Sequence, residues 1–245
     1  MKTDKLIECR RLCKRFSNTL ALDNVDLEVG RGKIIGLLGP NGSGKTTLIK
    51  ILNGLIKPTL GDVRIDGEEP GVHTKSIVSY LPDRTYFADW MTVNDVVKMF
   101  SEFYRDFDME RALDMCAAMN IGISDRIRTM SKGTKEKVQL ILVMSRKAEL
   151  YLLDEPIAGV DPAARDYILT TIINNYNEEG TVIISTHLIS DIERILDEVI
   201  FIRNGKIVRH EAVDDIKEKE GKSIDEVFKD SFKMVPFMGV NGNDR

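Results

Sequence analysis

The segment Gly39-Pro40-Asn41-Gly42-Ser43-Gly44-Lys45-Thr46 constrains this chain more than any other. It has the form GxxxxGK[ST] and stands between two different apolar patterns. Lys33 to Leu38 is a short run without polar alternation, which suits a strand covered on both faces of a parallel sheet. Thr47, Leu48, Ile49, Ile51 and Leu52 read as the start of a helix. A strand, a glycine-rich turn and a helix in this order direct backbone N–H groups and a helix N-terminus at one point, a cradle for phosphate oxygens. Gly39, Asn41, Gly42, Ser43, Gly44, Lys45, Thr46 and Thr47 are the expected nucleotide ligands, with Lys45 on the β/γ-phosphates and Thr46 on Mg²⁺.

The surrounding pattern is mixed. Val25, Leu27 and Val29 alternate with Asp26 and Glu28, which predicts a half-buried strand, and Asp62 to Gly67 reads the same way. From Thr92 the period becomes helical. Thr92 and Asp95 form a capping-box pattern, and Val93, Val96, Val97, Phe100, Phe103 and Tyr104 make an apolar stripe. Helical character extends to about Arg146. Strands return at Leu150–Leu153, Thr181–Ser185 and Glu198–Ile202, with Asn204-Gly205 marking a two-residue hairpin. Asp161-Pro162 reads as an N-cap and first helical residue. Ile224, Val227, Phe228 and Phe232 predict a terminal amphipathic helix, with a frayed tail from Pro236.

A second chemical signal follows the strand Leu150–Leu153, which ends in Asp154-Glu155-Pro156. Asp154 is the expected holder of Mg²⁺, and Glu155 the group that polarises an attacking water. LLDEP, then Ala158-Gly159-Val160-Asp161, then Ser185-Thr186-His187 closing the next apolar strand, resembles the ATP-binding cassette (ABC) family over about residues 5–210. The resemblance implies a γ-phosphate contact for His187 and a loop joining two active sites at Asp161. Glu155, His187 and Lys45 are then the expected catalytic set.

The family signature, usually LSGGQ, takes the form Met130-Ser131-Lys132-Gly133-Thr134. By resemblance, Ser131 and Gly133 serve the ATP site of a partner subunit, and Lys132 is expected to add positive charge there. Phe16 stands at the family's adenine-stacking position. Asp83, in Leu81-Pro82-Asp83-Arg84, replaces the glutamine usual in the γ-phosphate-sensing loop and is expected to remain a metal-site residue. Tyr86, Phe87, Trp90 and Met91 are either a receiving surface for a membrane partner's helix or part of the interior.

Composition narrows the class. A net charge of −4 argues against a partner gripped through nucleic-acid phosphates, and no apolar run approaches a bilayer-spanning length. Met1 to Leu12 carries no apolar signal core, so the expected place is the cytoplasm. Cys9, Cys13 and Cys116 read as three buried thiols. The expected fold is α/β: a P-loop core with a mostly parallel sheet, an N-terminal antiparallel β subdomain, and a helical subdomain over about 84–147. Residues 1–221 form the ATP-binding domain and 222–245 a short helix and tail. The resemblance implies an Mg-dependent ATPase acting as a homodimer or heterodimer on the inner face of the cell membrane. It would power a separate permease, of exporter type from the SKGT signature and short tail. A soluble ABC remodeller of ribosome or DNA complexes is the alternative. A GTPase is disfavoured by the lack of an NKxD segment.

Overall fold

Alternating burial along the first two strands builds a three-stranded antiparallel sheet. A computed structural model describes residues 4–158, 160 and 162–232, apart from the side chains of 162–164. The sheet has the order β2 (Thr19–Gly30), β1 (Lys5–Phe16), β4 (Leu60–Ile65). Val25, Leu27 and Val29 are buried while Asp26 and Glu28 face solvent, as period two requires. Arg11 adopts a positive φ of 47° where the β1–β2 register shifts between Cys9 and Leu12. Such a bulge bends the central strand of this sheet and sharpens its local twist.

The second sheet has six strands in the order β5 (Val78–Leu81), β6 (Leu150–Asp154), β7 (Thr181–Thr186), β3 (Ile34–Leu38), β8 (Glu198–Arg203), β9 (Lys206–Ala212). β5, β6, β7, β3 and β8 run parallel; β9 returns antiparallel. Every residue of β3, β6 and β7 is buried. Asn204 (φ 49°) and Gly205 (φ 77°) supply the two left-handed residues of the β8–β9 hairpin.

Helices cover both faces. The helix α1 (Lys45–Leu52) places Leu48, Ile49, Ile51 and Leu52 between the two sheets, against Ile35, Leu37, Leu152 and Ile183. On the other face lie α3 (Val93–Phe103), α4 (Met109–Ala118), α5 (Lys132–Met144) and α6 (Pro162–Asn175). The short α2 (Val72–Ile77) leads into β5. Thr92 Oγ1 accepts from Asp95 N–H at 3.2 Å while Asp95 Oδ2 accepts from Thr92 N–H at 2.9 Å, so the predicted capping box starts α3. After β7, α7 (Ile189–Ile192) returns to the sheet. Beyond β9, α8 (Val213–Glu220) and α9 (Ile224–Phe232) follow. In α9, the ring of Phe228 packs edge-on at 5.5 Å from Phe201, deep in β8.

Arg146, 2% exposed, fastens the helical layer to the edge of the sheet. Its guanidinium donates to the carbonyls of Ser76 and Val78 and, in a two-pronged pair, to Asp106 at 3.1 Å. The Tyr104 ring lies 3.9 Å from the guanidinium carbon.

Several expectations change. Phe103 points to solvent, because the buried stripe of α3 ends at Phe100 and Tyr104 turns to cover Arg146. Met91 is buried and Phe87 packs on the core, leaving Tyr86 and Trp90 as the exposed aromatics. Cys13 is half-buried, its sulfur accepting from Asn24 N–H at 3.2 Å, whereas Cys9 and Cys116 are in the core. Asp161 and the tail from Pro236 lie outside the described residues.

Candidate nucleotide site

The loop between β3 and α1 is shaped by close backbone approaches. A Cβ on Gly39 would lie 2.4 Å from the carbonyl oxygen of Ile202 and 2.6 Å from Ser43 Oγ. Gly44 adopts φ 114° and packs against the carbonyl of Ala21, so neither position accepts a side chain. The turn closes with Ser43 N–H on the Pro40 carbonyl at 3.2 Å, and α1 starts with Leu48 N–H on Gly44 at 2.9 Å. Lys45 is buried. Its ammonium donates to the Gly39 and Pro40 carbonyls (2.7 and 3.3 Å) and stands 3.4 Å from Glu155 Oε1.

Asp154 closes β6 beside this loop. Its Oδ1 accepts from Ser185 Oγ at 2.6 Å and Thr46 Oγ1 at 3.1 Å. Its Oδ2 is buried without a partner among the described residues. Burial raises the Asp154 pKa, Ser185 and Thr46 oppose that rise, and the charges of Asp83 and Glu155 add to it. An unpartnered, desolvated carboxylate oxygen beside a threonine hydroxyl is a hard oxygen donor set, which fits Mg²⁺.

Glu155 stands just past the strand with φ 52°, a left-handed conformation held by its N–H donating to Ser185 (O at 3.0 Å, Oγ at 3.1 Å). That backbone turns the carboxylate out of the strand, and its Oε2 meets His187 Nδ1 at 3.0 Å. His187 is carried just beyond β7, where Leu188 N–H bonds Thr186 Oγ1 at 3.0 Å. Two neighbouring parallel strands therefore deliver Asp154, Glu155 and His187 to one end of the sheet, next to the loop from a third.

Lys45, Thr46, Glu155 and His187 border a cleft of ≈ 590 Å³ whose other wall is the Leu81–Thr85 segment and the start of α5, with Asp154 buried directly behind Thr46. Asp83 lines it, exposed, and so does Lys132, which is 81% exposed and 3.7 Å from Glu136. Ser131 and Gly133 do not line it. Ser131 caps α5, its Oγ accepting from Thr134 N–H at 3.1 Å, and a Cβ on Gly133 would meet no described residue within 4 Å beyond its own helix backbone. Phe16 stands at the end of β1, 46% exposed with the Lys14 ammonium 4.9 Å over its ring; Thr19, Leu20 and Ala21 form the nearby cleft wall. Asn41, Gly42, Ser43, Gly44 and Thr47 line the cleft, whereas Gly39 lies behind it against Ile202.

Sequence reasoning missed Gln139, buried on α5 with Nε2 on the Pro82 carbonyl at 3.2 Å, and the buried hydroxyl of Tyr80, which has no partner. Gln139 breaks the apolar run Val138–Met144, a signal that was present but unread. Nothing in the pattern around Tyr80 distinguishes it from a core tyrosine.

A parallel sheet with this loop at the end of β3, and paired carboxylates at the end of a strand in the same sheet, defines a P-loop nucleoside-triphosphatase. The chain belongs to the ABC transporter family: the family's sequence profile matches residues 22–158. It is 36% identical over 220 residues to an uncharacterised ABC transporter ATP-binding protein of Methanocaldococcus jannaschii, MJ1023, covering 87% of this chain and 80% of that one. Identity to the ABC transporter ATP-binding protein YtrB of Bacillus subtilis is 31% over 217 residues, covering 87% and 74%. To the SkfA peptide export ATP-binding protein SkfE of the same organism it is 28% over 211 residues, covering 84% and 88%. A solved ATP-binding subunit of an ABC transporter superposes with a TM-score of 0.82 at 27% identity, over 93% of this chain and 100% of that chain. The ATP-binding cassette MJ0796, solved as a dimer with ADP and Pi, shares the fold (TM-score 0.73, 21% identity, 84% and 98% covered). This chain is accordingly an ATP-binding cassette ATPase. Among the described residues no helix is long and apolar enough to cross a membrane.

Proposed function

We propose that this chain is the cytoplasmic ATPase subunit of an exporter-type ABC system, docked on a separate membrane permease and working as a pair of cassettes. The observation that carries the catalytic part is the convergence of Lys45, Glu155 and His187 on one cleft, with Asp154 bonded to Thr46 at its base. Lys45 leaves the loop carbonyls to bind the β/γ-phosphates. Thr46 and Asp154 hold Mg²⁺, which neutralises charge on the phosphate oxygens when bound. Glu155 orients and polarises the attacking water, and His187 holds that carboxylate and contacts the γ-phosphate. Asp83 shares the metal side of the cleft, and Phe16 offers its exposed ring to adenine.

Ser131 and Gly133 face outward and complete the site of the opposing cassette, where Lys132 adds a cation, and Asp161 belongs to the loop between the two sites. The support is local: among the described residues Gly133 has no packing reason to lack a side chain. Exposed Tyr86 and Trp90 form the permease-facing surface. The peptide-export relative supports the direction of transport, and the dimeric cassette supports pairing.

Glu155→Gln tests the mechanism. It should abolish turnover while retaining ATP and accumulating an ATP-dependent dimer; a variant that stays monomeric with ATP sinks the closure reading. Pull-down from detergent-solubilised membranes of the native cell tests the partner. A polytopic membrane protein in near-stoichiometric amount supports the transporter reading, and ribosomal or DNA-repair proteins alone replace it with the remodelling one.

A further inference from the structure

Both halves of the Glu155–His187 pair are carried on short connections, and one side chain outside the cleft ties those connections together. Arg165, in the first turns of α6, donates from Nε to the Val160 carbonyl at 3.0 Å and from Nη1 to Asp191 Oδ2 at 2.8 Å. Val160 lies on the connection that leaves Glu155, where Ala158 N–H bonds back to the Glu155 carbonyl at 3.1 Å. Asp191 lies on α7, which begins two residues after His187 and is anchored by buried Ile189 and Ile192. With Glu155 Oε2 on His187 Nδ1 at 3.0 Å, a ring closes: Glu155, His187, α7, Arg165, Val160 and back to Glu155. Asp166 and Arg194 pair beside it at 2.7 Å, so α6 meets the α7 region through charges of both signs.

We propose that Arg165 is a positioning residue for ATP hydrolysis, its guanidinium fixing the spacing between the connection after Glu155 and the helix after His187. A guanidinium suits this task because its rigid fork serves a carbonyl and a carboxylate at once, which an ammonium on a flexible stem cannot reproduce. Arg165 does not line the cleft; it acts through where it holds Glu155 and His187. The proposal rests on those two residues being catalytic.

The test uses the full chain with Arg165→Met, Arg165→Lys and Asp191→Asn, measuring kcat, KM and amide exchange over residues 156–160. Arg165→Met should lower kcat about tenfold or more with KM for ATP within about twofold, and speed exchange in that segment. Arg165→Lys keeps the charge opposite Asp191 but loses the fork, so it should remain several-fold below the parent. Asp191→Asn leaves an acceptor for Nη1 and should stay close to the parent. A Met variant with kcat within twofold of the parent, or one whose kcat loss comes with an equal loss of ATP affinity, overturns the proposal. If Glu155→Gln itself retains full turnover, the catalytic assignment fails instead. If Arg165→Met does not fold, the Lys and Asn variants decide by their order.

Discussion

Replacing Gly133 by alanine adds one methyl group at the second residue of α5, at a place where, beyond the helix's own backbone, the described residues offer nothing within 4 Å to meet it. In a helix interior glycine is about 0.8–1.0 kcal/mol worse than alanine, and roughly half of that applies in a first turn, where fewer hydrogen bonds constrain the residue. Ser131 still caps Thr134, so the isolated protein should gain about 0.5 kcal/mol. For a chain of this size that raises Tm by about 1–2 °C. The effect on pairing should have the opposite sign. If the outward face of this turn approaches the phosphates of a second cassette, the methyl group holds the backbone N–H off an anionic oxygen. Each such bond is worth about 1.5–3 kcal/mol. Two symmetric sites lose about 3–6 kcal/mol, or roughly 10²- to 10⁴-fold in dimer affinity. Thermal melting without nucleotide gives the first number, and sedimentation with ATP in a Glu155→Gln background gives the second. A lower Tm refutes the claim that the fold itself does not need this glycine. An unchanged dimer refutes the outward-facing role.

Four further outcomes follow from the geometry. Gly39→Ala should destabilise the chain by more than about 2 kcal/mol and abolish nucleotide binding, since the new Cβ meets the Ile202 carbonyl at 2.4 Å; melting and a fluorescent-nucleotide titration read both effects. Arg146→Met should cost about 3–5 kcal/mol, because it strands two carbonyls and Asp106, and Arg146→Lys should recover less than half on a denaturant curve. Burial works against ionisation of Glu198, but its bonds to Lys33 and His210 (2.9 Å) outweigh it and lower its pKa below 4.5. A depressed carboxylate stabilises above its unfolded pKa, so the stability gap between the parent and Glu198→Gln should be full above about pH 5 and close as pH falls further. Burial and the charge of Asp26 push the Cys9 thiol up to about 12, so Cys13 should react first with an alkylating reagent at pH 8 in the native protein, read by peptide mapping.

The elements that sequence exposed best are those whose chemistry is local. The phosphate loop, the capping box at Thr92 and the Asn204-Gly205 hairpin each require particular residues at fixed spacing, and each forms where its spacing places it. The α/β architecture was legible for the same reason, since unbroken apolar runs at β3, β6 and β7 have one comfortable place, inside a parallel sheet. What pattern did not reveal depends on distant partners. Phe103 fits the apolar period of α3 yet faces solvent, because the helical layer turns toward Arg146 at that point. Gln139 interrupts the apolar run of its helix, but what it holds, like the role of Arg165, appears only when Pro82, Val160 and Asp191 arrive from elsewhere in the chain.

The Arg146 guanidinium has a consequence beyond holding two layers together. β5 is the outermost strand on its side of the six-stranded sheet and pairs only with β6. Its first residue, Val78, follows directly on the last turn of α2, which holds Ser76 and Ile77; the Ile77 carbonyl accepts from Glu149 N–H. The carbonyls of Ser76 and Val78 are the two oxygens that Arg146 takes. A bare margin of this kind is a template on which another chain can add a strand. With the Val78 acceptor at the start of β5 and the Ser76 acceptor just before it claimed by a buried cation, that end of the margin is closed to an added strand, and losing Arg146 should leave a protein that is sticky as well as less stable.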